Sequence, residues 1–281
     1  MRYLGAFVST SGGLYKAILR ADKFKINTIM IHPSPPQRWN TRPFNNDEIN
    51  LFNKYRKKSK FVKKVFFHGI YLINLANPDK QKFHLSKMSL VNYLDLASKI
   101  NSEAVIFHVG SFKDQKNEIE GFGRIIYGIN WIFEHSKNNA ILSLEVAAGS
   151  GKVVGSKFED LARIYEGVKN KKRINFCLDT AHMFASGYDI VNQLENVIDD
   201  FDKILGLNNI SAIHFNDSKV EFNSKKDRHE NIGEGLIGEE AMKRILNHPK
   251  LKQIPFILET PALKDDKSAQ KEIIKLKNWA K

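Results

Sequence analysis

Short apolar runs alternate with amphipathic helical patterns eight times along this 281-residue chain. The runs cover residues 4–8, 28–31, 65–68, 105–108, 141–145, 175–179, 212–214 and 256–259. Each is rich in β-branched or aromatic residues, as strands covered on both faces are. Between them, stretches such as SLVNYLDLASKI and EGFGRIIYGINWIFEHS repeat their apolar residues near a 3.6 period. Strands alternating with helices build a parallel sheet. Eight such units predict an α/β fold, a single (β/α)8 or TIM barrel of parallel strands. The length fits one barrel domain over residues 1–281, because about 250 residues is typical of this architecture. No low-complexity linker, repeat or shift in composition marks a second domain.

Six of these runs finish on a residue able to bind a divalent metal: His68, His108, Glu145, Asp179, His214 and Glu259. A buried strand has no packing reason to end this way, since polar groups removed from water cost free energy unless paired. A barrel supplies the reason, because its strand ends converge on the C-terminal mouth where catalytic groups sit. Two loop motifs add three more candidates. In DTAHMFASGYD, His182 follows Asp179 by three residues, so a turn after the strand directs both to one place. In DRHENIGEG, Asp227 and His229 are two apart, so an extended loop points both the same way. The nine donors are nitrogen or oxygen and none is thiolate, which suits catalytic zinc or manganese and excludes a Cys-rich structural zinc site.

Taken singly, each residue has an ordinary explanation. A strand-end His is commonly a hydrogen-bonded structural residue, and Glu145 or Glu259 could be half of a buried ion pair. Five of the nine histidines and four carboxylates recurring at strand ends and in tight loop pairs are not explained that way. The other histidines, His32, His84, His135 and His248, fall in helical patterns or in the proline loop HPSPPQRWNTRPF and read as surface or packing residues. Cys177 lies within the sixth strand and reads as core.

The composition narrows the function classes. No run of about 18 apolar residues predicts a membrane span. The start, MRYLGAFVSTSGG, turns polar too soon for a secretory signal, and a single cysteine excludes an internal disulfide. Both agree with a reducing, cytoplasmic location. The net charge of +13 invites a polyanion as partner. Most of the basic residues are Lys and Asn is abundant, which an AT-rich coding sequence also produces, so the charge gains weight only if the site chemistry points to phosphate. Nine donors can hold two or three ions, and such clusters serve phosphoryl chemistry. Four carboxylates do not offset three divalent ions. The loaded site is therefore positive and suits a phosphodiester better than a neutral sugar.

With these residues in place, the chain resembles the endonuclease IV family of abasic-site (AP) endonucleases within the xylose-isomerase-like barrels. The resemblance is carried by GAFVSTSGG, HGIYLINLANP, FHVGS, LEVAAGSG, CLDTAHMFASGYD, HFNDSK, DRHENIGEGLIG and ILETP, in order and over essentially the whole chain. It implies a three-zinc site, with Mn2+ or another divalent ion an option at one position. By position, His68, His108 and Glu145 hold one ion and Glu145 bridges to a second. Asp179, His214 and Glu259 complete the second ion, while His182, Asp227 and His229 hold the third.

The implied reaction is hydrolysis of the phosphodiester 5′ to an abasic site in duplex DNA, leaving a 3′-hydroxyl, with removal of 3′-blocking groups as a companion activity. Either Glu145 or Glu259 orients or deprotonates the nucleophile. The implied partner is double-stranded DNA with abasic sites or 3′-blocked ends, met in the cytoplasm at the nucleoid by a monomer without an organic cofactor. The resemblance also implies that Tyr71 and Leu72 prop the distorted DNA and that Lys219 and Arg228 contact phosphates. Departures are confined to the surroundings. Gln37 stands where the family has an arginine, which leaves Arg38 as the candidate DNA-inserting cation. Phe7 replaces a first-strand His, and Val146 and Ala147 replace polar residues after the bridging Glu. Two rivals are a metal-dependent sugar isomerase or epimerase on the same barrel and a DNA-binding protein that has lost catalysis.

Overall fold

The computed structural model describes residues 1–35, 37–39, 44–113 and 117–281. The unassigned part of the proline loop (Pro36 and residues 40–43) lies outside them. Eight parallel strands close into a barrel. They are β1 (Leu4–Phe7), β2 (Thr28–Ile31), β3 (Lys64–His68), β4 (Ala104–Phe107), β5 (Leu142–Glu145), β6 (Ile174–Asp179), β7 (Ile210–His214) and, after a short β8 (Asp217–Ser218) and β9 (His229–Glu230), β10 (Phe256–Leu258). Their order around the barrel is β1–β10–β7–β6–β5–β4–β3–β2. Outside run α1 (Tyr15–Phe24), α2 (Asn46–Lys58), α3 (Lys80–Lys99), α4 (Glu118–His135), α5 (Phe158–Gly167), α6 (Thr180–Ser186), α7 (Leu194–Leu205), α8 (Glu239–Asn247) and α9 (Asp266–Trp279). Among the described residues no helix is long and apolar enough to cross a membrane.

Strand side chains alternate between two faces, and the core divides accordingly. Val65, Phe67, Val105, Phe107, Leu142 and Leu144 point out into the large core shared with the helices. Met30, Phe66, Ile106, Cys177, Ala212 and Ile257 point in and fill the barrel with a separate small cluster. Two residues beyond each inward residue, the next inward position reaches the mouth. That step leads from Phe66 to His68, Ile106 to His108, Cys177 to Asp179, Ala212 to His214 and Ile257 to Glu259. The strand-end donors are thus the top layer of the barrel interior.

Two local features hold this register. Phe176 pairs with Ile210 but Cys177 with Ala212, so Ser211 is an extra, bulged residue. The bulge sets Ala212 and His214 in phase with the neighbouring strand. Gly5 allows β1 to close on β2, because a Cβ there would lie 1.7 Å from the Thr28 carbonyl oxygen. Several observed strands differ by a residue or two from the expected runs. In particular β4 stops at Phe107 and β10 at Leu258, so His108 and Glu259 sit just past the ladder.

Candidate metal centre

All nine expected donors converge on the mouth. Glu145 lies at the middle, fully buried. Its Oε2 is 3.0 Å from His68 Nε2 and 3.4 Å from His108 Nε2. Its Oε1 is 2.8 Å from His214 Nδ1, which in turn is 3.0 Å from Glu259 Oε2. One carboxylate therefore offers an oxygen to each of two donor sets. A third set is formed where His182 Nε2 and His229 Nε2 approach to 3.3 Å, with Asp227 Oδ1 at 3.2 Å and 3.3 Å from them. Asp179 stands between the second and third sets, its Oδ2 3.9 Å from His214 Nδ1 and 3.6 Å from His229 Nε2. Its carboxylate faces both, rather than the second set alone.

These spacings are those of a shared cation. Donors about 2.0–2.1 Å from one tetrahedral zinc stand roughly 3.3 Å apart. Two imidazole nitrogens directed at each other gain nothing from a 3.3 Å approach unless a proton or cation lies between them. The donor atoms of His68, His108 and Glu145, of Glu145, Asp179, His214 and Glu259, and of Asp179, His182 and His229 each cluster within 4.8 Å. The buried Nε2 of His214 has no hydrogen-bond partner among the described residues, while Nδ1 is the nitrogen turned to the carboxylates. The residues fit divalent ions.

The main chain orients the rings. Nδ1–H of His68 donates to Gly69 O at 2.7 Å and Nδ1–H of His182 to Val146 O at 3.0 Å, which leaves each Nε2 free for the cluster. Position 146 thus supplies its backbone carbonyl, and the loss of a polar side chain there leaves this contact intact. Asp179 caps α6 by accepting the His182 amide at 2.8 Å on Oδ1, and takes the Asn216 side-chain amide at 2.7 Å on Oδ2. Asn216 also accepts the Glu259 amide at 2.8 Å. The hairpin of β8 and β9, paired Ser218 to His229, presents Asp227 and His229 to His182 of α6, where sequence reasoning expected only an extended loop.

The titration of several of these groups is strongly perturbed. Burial alone would raise Glu145, but His108 and His214 hold it well below the usual carboxylate range. Glu259 is held at about 2 against the same burial by His214 and His68. His182 is pushed up to about 10, because Asp179 and Asp227 outweigh burial. His214 rises well above the ordinary value with Cys177, Glu259 and Glu145 opposing burial, whereas burial lowers His108.

Around the mouth, Tyr71 and Leu72 occupy a turn after β3, 71% and 39% exposed, well ahead of α3. They border a cavity of about 550 Å3 together with Trp39, His108 and Asp227. Arg38 is exposed, as are Lys219 and Arg228. Lys219 and Arg228 are joined across the hairpin by a backbone bond of 2.9 Å, and the Arg228 guanidinium donates to Asp227 O at 2.6 Å.

Two residues that matter here were not singled out in the sequence. His32 follows β2 directly and stands in the mouth, 5.6 Å from the His68 ring, where it had read as a surface or packing residue of the proline loop. The signal was present, since TIMI-H obeys the same strand-end pattern, but the following Pro33 made it read as loop. Asp217 is fully buried and its carboxylate accepts the amides of Ser218, Gly233, Gly235, Ile237 and Gly238 at 2.7–3.2 Å. This explains Gly235 of IGEGLIG, for a Cβ there would fall 2.6 Å from Asp217 Oδ1. His84, His135 and His248 pack on Trp131 or pair with Glu195.

The family described as xylose isomerase-like TIM barrel matches residues 18–279. A probable endonuclease 4 of Halothermothrix orenii is 42% identical over 92% of this chain and 93% of its own length. The chain belongs to the endonuclease IV family. Apurinic-apyrimidinic endonuclease 1 of Plasmodium falciparum is 38% identical over 96% of this chain and 45% of its own length. The crystal structure of endonuclease IV from Thermus thermophilus superposes with a TM-score of 0.87 at 28% identity, covering 99% of this chain and 98% of that one. To this family likeness the structure adds three abutting donor sets at the barrel mouth.

Proposed function

We propose that this protein is an AP endonuclease of base excision repair, hydrolysing the phosphodiester 5′ to an abasic site to leave a 3′-hydroxyl and also clearing 3′-blocked ends. The observation that carries the reading is the third donor set, at 3.2–3.3 Å spacing, beside the two bridged by Glu145. A sugar isomerase on this barrel needs no third set. Three divalent ions, zinc by the donor chemistry, would be held by His68, His108 and Glu145, by Glu145, Asp179, His214 and Glu259, and by His182, Asp227 and His229. When bound, such ions generate hydroxide from water at neutral pH and stabilise phosphoryl charge.

The chain's own groups set the geometry. Glu145 and Glu259 are ionised and face the centre, so either can orient or deprotonate the attacking water. Tyr71 and Leu72 present an aromatic face and an apolar wedge at the rim, where an unstacked step needs support. Lys219 and Arg228 supply cations for the DNA backbone, and Arg38 is the candidate DNA-inserting cation. An abasic nucleotide has lost the pairing that resists extrusion into a recessed mouth. The working unit is one barrel domain, monomeric and cytoplasmic.

The test is a duplex with one abasic site, assayed alongside elemental analysis of the same preparation. The expected result is a single nick in the damaged strand, two to three transition-metal ions per chain, and loss of the nick after prolonged chelation. No nick, with turnover of a ketose instead, overturns the reading.

A further inference from the structure

Six barrel strands deliver a donor to the mouth; β1 ends instead on Phe7, and β2 runs into His32. His32 belongs to none of the donor groups able to hold a cation. Its ring lies 4.7 Å from Phe7 and edge-on to His68 and to Tyr71 at 5.6 Å and 5.9 Å. It therefore stands between the donor layer and the exposed aromatic of the rim. His32 Nδ1 is 3.1 Å from His68 O. A carbonyl only accepts, so Nδ1 carries the hydrogen and Nε2 of the neutral ring presents a lone pair. Among the described residues no hydrogen bond reaches Nε2. The ring borders a cavity of about 470 Å3, shared with Phe7, Ser9, Thr10 and Glu48.

The substrate decides what can meet a lone pair in that sector. Phosphodiester oxygens are themselves acceptors and are repelled. An intact deoxyribose within a strand has both hydroxyls esterified and a base on C1′, so its sugar offers no donor. An abasic deoxyribose in its ring form carries a hydroxyl on C1′. We propose that His32 is a specificity-determining residue whose Nε2 accepts a hydrogen bond from the C1′ hydroxyl of the abasic sugar. The proposal rests on the nuclease reading above. A site built to bind a hydroxyl discriminates against the analogue lacking it, because its acceptor is then left unpaired.

The experiment compares kcat/KM on a duplex with a natural abasic site and on the same duplex with a tetrahydrofuran analogue, which lacks only that hydroxyl. One neutral hydrogen bond predicts a preference of about 3–10-fold for the natural site. His32→Phe fills the same space beside Phe7, and His32→Asn keeps a donor near the His68 carbonyl; both remove the Nε2 lone pair. In each, the ratio is expected to fall to about one at wild-type metal content. Equal cleavage of the two duplexes by the wild-type protein overturns the proposal and needs no variant. A loss that is the same on both duplexes, or that tracks loss of metal, makes His32 only a support for His68 and also overturns it. If the wild-type protein cuts neither duplex, the nuclease reading itself fails.

Discussion

Glu145 places one oxygen in each of two donor sets, so its two halves are not interchangeable with an amide. Glu145→Gln replaces one of those oxygens by a donor nitrogen facing imidazoles. We expect cleavage of an abasic duplex to fall at least roughly 100-fold, with binding to the same DNA retained in a fluorescence anisotropy titration. Unchanged cleavage would remove Glu145 from its assigned place. The neighbouring titrations predict a pH signature. His182 sits at about 10 when no cation is bound, above its unfolded value. Its contribution to stability is full below about 6.5 and is lost as pH rises through about 10. Glu259, at about 2, contributes above its unfolded value near 4.5 and is lost as pH falls towards 2. For these groups the chelated protein should have its highest Tm between about pH 4.5 and 6.5 and should soften towards pH 10. Metal-loaded protein, whose histidines are already deprotonated, should keep its Tm at about pH 8–9, and loading at neutral pH should release protons. Identical Tm profiles with and without metal, followed by calorimetry, would contradict this.

Among the elements, the β8–β9 hairpin and the loop to α8 hang on one buried carboxylate. Asp217→Ala leaves five amides without their acceptor, and we expect a loss of about 3–4 kcal/mol and a lower Tm. A Tm within about a degree of wild type would show that water replaces the carboxylate. The eight barrel strands were legible in the sequence because short apolar runs recurring between helical patterns leave a periodic mark. Their inward phase was legible too, since a polar donor terminates an otherwise apolar run. The hairpin was not legible, because two-residue strands carry no period. Asp217 was not either: backbone amides gathered from positions 218–238 have no side-chain signature. His32 was hidden by the proline after it, although its strand obeys the common pattern. Position 146 was read as the loss of a polar residue, whereas the contact it makes in the fold, its main-chain carbonyl to His182, is open to every residue type.

At the scale of the molecule, the charge of +13 bears on a DNA partner only if it is felt at the interface. If about five phosphates are neutralised, the logarithm of the DNA-binding constant should fall with that of salt with a slope near −4 to −5. A flat response would assign the lysines to codon composition. The remaining whole-molecule feature is how widely the donors are scattered. They lie at the ends of six strands, on α6 and around the β8–β9 hairpin, between His68 and Glu259, and no two strands adjacent in sequence could assemble a set of three before the barrel wall exists around them. Cations bound there would fasten distant segments together as cross-links do, in a chain whose single cysteine can make none internally. For such a chain the supply of metal would govern how long the barrel lasts as well as whether it cuts.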